Sequence, residues 1–144
     1  MYDDLLFPTD GGDGAETGLE RALEAARTFD ADLHVLYVAD TTRDSVTNVR
    51  GNVVDTLEDE GRGTVDEYVE RAEERGVDAV DVVLQGRPHE VIVEYAEANV
   101  DLIVMPNRGR EGVAQRLLGS TTERVVRTSS VPVLTLSAES AIRD

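Results

Sequence analysis

Five short apolar runs alternate with four stretches of helical periodicity along this chain, and that alternation restricts the fold more than any other feature. The runs are Leu5 to Phe7, Leu33 to Ala39, Val80 to Leu84, Leu102 to Met105 and Val131 to Leu136. Most are apolar at consecutive positions, which predicts strands covered on both faces, as in a parallel sheet. Between them, Leu19, Ala22, Leu23 and Ala26 share one helical face. So do Val54, Leu57, Gly61, Val65, Tyr68 and Ala72, and then Val91, Ile92, Tyr95 and Ala96. The order β-α-β-α-β-α-β-α-β, joined by right-handed crossovers, predicts an α/β, doubly wound, Rossmann-like sheet with helices on both faces. Residues 1–144 read as one domain, with no internal repeat, linker or low-complexity tract.

Punctuation sharpens this reading. Pro8 is expected to stop the first strand, and Gly61 and Gly63 to weaken or kink the long helix between about Val53 and Arg75. Gly76 is placed to cap that helix, and Pro88 to open the next. Residues 40–52 lack periodicity and read as a polar loop. His34, alone among apolar neighbours, reads as a hydrogen-bonded sheet residue, and Tyr68 and Tyr95 as core.

Ligands of such sheets bind beyond the carboxyl ends of the strands, where strand order reverses. The loops following the first and fourth strands, Pro8 to Gly14 and Pro106 to Gly119, are the two candidates. The second is rich in glycine and arginine and meets a helix opening at Ser120, an arrangement suited to phosphate because first-turn amides have no intrahelical partner. Residues 102–136 hold five arginines against two acids, Glu111 and Glu123, whereas the rest of the chain holds nine arginines and 28 acids. A local positive excess inside a chain of net charge −16 points to an anion. Ser120 to Glu123 also fits a capping box, which needs no ligand. Arg116, Arg124 and Arg127 suit surface ion pairs; Arg108 and Arg110 are the better ligand contacts.

All fourteen basic residues are arginine, beside 30 acids. Such a bias points to a halophilic protein of a salt-rich cytoplasm, kept soluble by its carboxylates. Concentrated salt confines electrostatics to contact range, so the acidic exterior is compatible with a phosphate ligand. The same exterior argues against nucleic-acid binding. Without lysine there is no Walker A motif or Schiff base, and without cysteine no thiol chemistry or disulfide. The first residues carry no signal-peptide pattern, and no run of about 18 apolar residues is present to span a membrane. A soluble, cytoplasmic protein is expected.

Over essentially its whole length the chain resembles the universal stress protein family. The resemblance rests on the first strand with Pro8-Thr9-Asp10-Gly11, on Val35 to Ala39, on Gly86 and Pro88 before an apolar helix, and on Asp101 to Leu136. In the nucleotide-binding branch the last segment carries glycine, two residues, glycine, nine residues, then glycine with serine or threonine. Counting back from Gly119-Ser120 places the middle glycine at Gly109 and puts Pro106 where the first glycine belongs. Proline donates no N–H, so that contact is lost or altered.

The resemblance implies a five-stranded parallel sheet of order 3-2-1-4-5 and a homodimer formed through the last strand, Val131 to Leu136. It also implies an ATP or AMP site between the first and fourth strand loops, in a stress-response module with no committed catalytic step. Pro8, Thr9, Asp10 and Val38 would line the adenine and ribose side, and Met105 and Pro106 would lie beneath the ribose. Gly109, Gly119, Ser120 and Thr121, aided by Arg108, would hold phosphates. Asp10 would help hold a metal, Mg2+, bridging them. Two alternatives stand beside this reading: a ligand-free dimeric interaction protein of the same fold, and a slow ATPase in which Asp10 or Asp13 aids attack by water.

Overall fold

A computed structural model describes residues 2–12, 15–41, 51–106 and 120–136, excepting the side chains of 51–57. Its elements in chain order are β1 (Asp4–Thr9), α1 (Ala15–Phe29), β2 (Asp32–Asp40), α2 (Gly51–Glu74), β3 (Ala79–Gly86), α3 (Pro88–Asn99), β4 (Leu102–Pro106), α4 (Ser120–Thr128) and β5 (Val133–Leu136). All strand pairs are parallel, in the order β3-β2-β1-β4-β5. This is the predicted sheet, with β1 and β4 meeting at the reversal of strand order.

Alternation along the strands divides the core into two layers. Leu5, Phe7, Leu33, Val35, Leu102 and Val104 point toward α1 and α2, where they meet Leu19, Leu23, Val65 and Tyr68. Leu6, Leu36, Ile103 and Met105 point the other way, against Ile92 and Ala96 of α3 and Val125 of α4. Each central strand is buried on both sides, which is why its sequence is an unbroken apolar run.

His34 interrupts that pattern without a buried unpaired group. Its Nε2 lies 3.1 Å from Asp4 Oδ1 and its Nδ1 2.7 Å from the Tyr95 hydroxyl. A carboxylate only accepts, so Nε2–H donates to Asp4; in that tautomer Nδ1 accepts the Tyr95 hydroxyl proton.

The expectation at Pro8 is corrected, and no break in the helix occurs at the two glycines. Pro8 does not stop β1; it lies within it, level with Leu36 of β2, and the strand runs on to Thr9. α2 continues as helix through Gly61 and Gly63. Gly61 is there for space: a Cβ at this position would stand 2.4 Å from Cδ1 of Tyr37, inside van der Waals contact. Gly76 caps α2 as expected, with φ of 81°, its N–H donating to Glu73 and that of Val77 to Ala72.

Candidate functional site

The central ladder is closed at one end of the sheet and open at the other. At the amino end, the Asp101 carboxylate accepts the N–H of Asp3 at Oδ2 and of Asp4 at Oδ1, each at 3.1 Å. The Asp101 N–H donates to the Asp4 carbonyl at 3.0 Å. From there β1 pairs with β4 only at Leu5↔Leu102 and Leu6↔Ile103, whereas its pairing with β2 continues to Thr9↔Tyr37. Continuing the β1–β4 register would set Pro8 level with Met105 and Thr9 level with Pro106. Two prolines fall at these levels, and neither supplies a ladder N–H. The inner ladder ends where the crevice of a doubly wound sheet is expected.

The first-strand wall of the crevice is a tight turn. Gly11 N–H donates to Thr9 Oγ1 at 3.0 Å and Gly12 N–H to Asp10 Oδ1 at 2.8 Å. Gly11 has φ of 73°, and an added Cβ there would lie 3.2 Å from Thr64 Oγ1. A glycine therefore meets both the backbone geometry and the close approach of α2. The Asp10 side chain is exposed, and its Oδ1 serves the turn. Among the described residues no cluster of three or more acids or histidines is arranged for a metal.

Beneath the crevice, Met105 and the half-buried Val38 belong to the layer facing α3 and α4. Buried Pro8 shares that face by its two-residue spacing from Leu6. These three share the α3-facing side of the sheet near its carboxyl end. Tyr68 backs the opposite side of β1: burial pushes its phenol above the ordinary value of 10.0, Glu16 adds to the rise, and hydrogen bonding with Thr9 opposes it.

On the fourth-strand side, the buried Thr122 hydroxyl donates to the Pro106 carbonyl at 3.2 Å. That bond brings the start of α4 back to the end of β4. Ser120 is exposed and Thr121 half-buried at this helix opening. Glu123 accepts Arg127 Nη2 at 3.0 Å, so its carboxylate turns forward along the helix instead of back to Ser120 as a capping box would have it. Thr122 was not singled out in the sequence; its spacing of three from Val125, on the inward stripe of α4, is the signal that could have found it. Of the sequence-predicted site residues, Arg108, Gly109 and Gly119 lie outside the described residues, as do Arg110 and Asp13. Pro8, Thr9, Asp10, Val38, Met105, Pro106, Ser120 and Thr121 all fall at the carboxyl ends of β1, β2 and β4 or at the opening of α4.

A separate depression of about 310 Å³ sits at the far end of the sheet, lined by Arg27, Asp30, Asp32, Arg75 and Asp78 among others. Its walls are the closing turns of α1 and α2. Arg75 there is held by Glu20.

The Universal stress protein family model matches residues 1–137. The chain belongs to the universal stress protein family. Among relatives, universal stress protein MJ0531 of Methanocaldococcus jannaschii is 35% identical over 93% of this chain and 81% of its own length. Universal stress protein MJ0577 of the same organism is 30% identical, covering 98% of both chains. The solved structure of MJ0577 superposes with a TM-score of 0.82 over 95% of this chain and 96% of the other, at 31% identity. A universal stress protein solved in complex with cAMP superposes with a TM-score of 0.72, at 29% identity, over 94% of this chain and 97% of the other. This chain places its sheet reversal between β1 and β4. Among the described residues, no helix is long and apolar enough to cross a membrane.

Proposed function

We propose that this universal stress protein is a cytoplasmic regulatory module that binds an adenine nucleotide, ATP or AMP, between the loops after β1 and β4. The observation that carries the reading is the early end of the β1–β4 ladder at Leu6 and Ile103, although both strands run on to Thr9 and Pro106. The opening so left would receive the base against the apolar side chains of Pro8, Val38 and Met105. Its far wall is the opening of α4, whose first-turn amides favour phosphate. Thr122 is turned inward to Pro106, which leaves Ser120 and Thr121 on the ligand side. A universal stress protein 29% identical to this chain was solved in complex with cAMP, which supports an adenine nucleotide as the class of ligand.

In this reading Thr9 and Asp10 border the ribose, and Arg108, Gly109 and Gly119 complete the phosphate cradle. Asp10 Oδ1 is engaged by Gly12, so an Mg2+ on the phosphates would be met through the other carboxylate oxygen. No catalytic step is assigned; binding is read out through conformation or partner choice. β5 lies at an edge of the sheet with Leu134 exposed, and pairing of Val131 to Leu136 with a second copy would cover it as a homodimer.

A ligand at a hundred times its Kd adds about 2.7 kcal/mol of stability. In high potassium chloride, ATP, ADP or AMP with magnesium should then raise Tm by about 5–10 °C. The second reading, a ligand-free interaction protein, is favoured by Pro106, which cannot donate an N–H at the place of the first signature glycine. Absence of any shift, together with no nucleotide released on denaturing natively purified protein, would establish that second reading instead.

A further inference from the structure

The sheet has two edges, and β3 is the one farther from the proposed nucleotide site. It pairs only with β2, leaving one row of backbone groups without a strand partner among the described residues. The strand is eight residues long, AVDVVLQG, with a single charge. Its two faces differ in chemistry. Val80, Val82 and Leu84 lie on the α3 side by register with His34, Leu36 and Val38. Val80 is 43% and Leu84 37% exposed, so α3 leaves much of this strip bare. On the α2 side stands Asp81, exposed and with no ion pair among the described residues.

The acidic character of that side extends into α2, whose described residues from Glu58 onward include eight acids and two arginines. Of the arginines, Arg71 is already taken up by Glu16, Glu20 and Glu67. Arg87, just beyond β3, is paired with Glu90. Arg71 and Arg87 are therefore engaged, whereas Arg62 on α2 and Asp81 on β3 have no ion pair among the described residues. An edge strand with a bare apolar strip on one face and an unpaired acid on the other fits an added strand of matching alternation.

We infer that the outer edge of β3 is a docking edge for an extended segment of a partner protein whose residues alternate between apolar and basic. Main-chain hydrogen bonds to Ala79–Gly86 would seat the segment. Its apolar residues would cover Val80, Val82 and Leu84, and its arginine or lysine side chains would meet Asp81 and the acidic flank of α2. A second copy of this chain is a poorer occupant, because its own β3 brings Asp81 and another acidic α2 to the same face.

The test uses the full-length protein with two capped synthetic peptides about as long as β3, one alternating valine with arginine and one alternating valine with glutamate. Amide chemical shifts and hydrogen exchange are followed at low and high potassium chloride. The expected result is slowed exchange and shift changes at Ala79–Gly86 with the arginine peptide, at an affinity about tenfold above the glutamate peptide. Asp81→Arg should reverse that preference while leaving Tm essentially unchanged. Equal binding of both peptides, perturbation centred elsewhere, or an unaltered preference in Asp81→Arg would overturn the proposal. So would self-association of the peptide-free protein that Leu84→Glu abolishes.

Discussion

The hydroxyl of Thr122 donates to the carbonyl of Pro106 at 3.2 Å, tying the first turn of α4 to the last residue of β4 across sixteen positions. The bond is part-buried, and it fixes where the opening of the helix stands relative to the crevice. Thr122→Val keeps the shape and removes the donor, leaving the carbonyl short of one partner. A loss of about 1 kcal/mol is expected, read as a fall in Tm of about 2–4 °C. If Ser120 and Thr121 hold phosphate, the same variant should weaken nucleotide binding by more than Ser129→Ala, which removes two local turn bonds remote from the crevice.

Two glycines two residues apart on α2, and so on different faces of the helix, should respond oppositely to alanine. At Gly61 the added methyl would meet the Tyr37 ring at 2.4 Å, whereas at Gly63 nothing lies within 4 Å. Gly61→Ala must push helix and sheet apart or rotate a buried ring, at a cost of about 1–3 kcal/mol. Gly63→Ala meets no obstacle and gains helix propensity worth about 1 kcal/mol. Thermal melts of the two variants should move in opposite directions; a stabilised Gly61→Ala would show that α2 does not sit tightly against Tyr37.

These same residues mark how far the sequence could be read. Apolar runs such as Leu33 to Ala39 specify strands buried on both faces because nothing else hides consecutive large side chains, so the sheet and its reversal point were legible. Pro8 and Gly61 each answer to tertiary surroundings. Pro8 is tolerated where the ladder to β4 has already ended, and Gly61 is dictated by a ring from another element. Local rules see neither. Glu123 was expected to turn back to Ser120, but Arg127, one turn on, competes for the carboxylate. The site was legible as two loops meeting at a strand reversal; the bond that joins them, Thr122 to Pro106, depends on how α4 returns across the sheet.

Alkaline pH should destabilise the fold through two tyrosines. Burial is the main cause that raises the phenols of both Tyr68 and Tyr95 above the ordinary 10.0, with the charges of Glu16 and Asp4 respectively next. The folded chain therefore favours the protonated phenol. That contribution is complete below a pH of about 10 and is lost as pH climbs through the raised folded values. At Tyr95 ionisation also removes the proton donated to His34 Nδ1. Tm measured against pH should drop on the alkaline side, and the drop should be shallower in Tyr68→Phe and Tyr95→Phe. An unchanged slope in both variants would assign the alkaline loss to other groups.

The closing turns of α1 and α2 are built alike but from different residues. Asp30 N–H donates to Arg27 and Ala31 N–H to Ala26, as Gly76 and Val77 donate to Glu73 and Ala72. In both, a residue just past the helix is left-handed, with φ of 58° at Asp30 and 81° at Gly76. A side chain in that region is disfavoured by roughly 1 kcal/mol, somewhat less for aspartate, and a negative charge at a helix C-terminus opposes the dipole. Asp30→Gly removes both penalties, so it should raise Tm by about 2–4 °C. Gly76→Ala introduces the first penalty and should lower Tm by a similar amount. Asp30 has a further setting that makes the comparison sharp: it borders Arg27 and Arg75 in the depression at this end of the sheet. If attraction to those arginines outweighs backbone strain, Asp30→Asn will destabilise and Asp30→Gly will fail to stabilise. If strain dominates, Asp30→Asn will be near neutral, because asparagine tolerates the left-handed region, and Asp30→Gly will gain stability at any salt concentration.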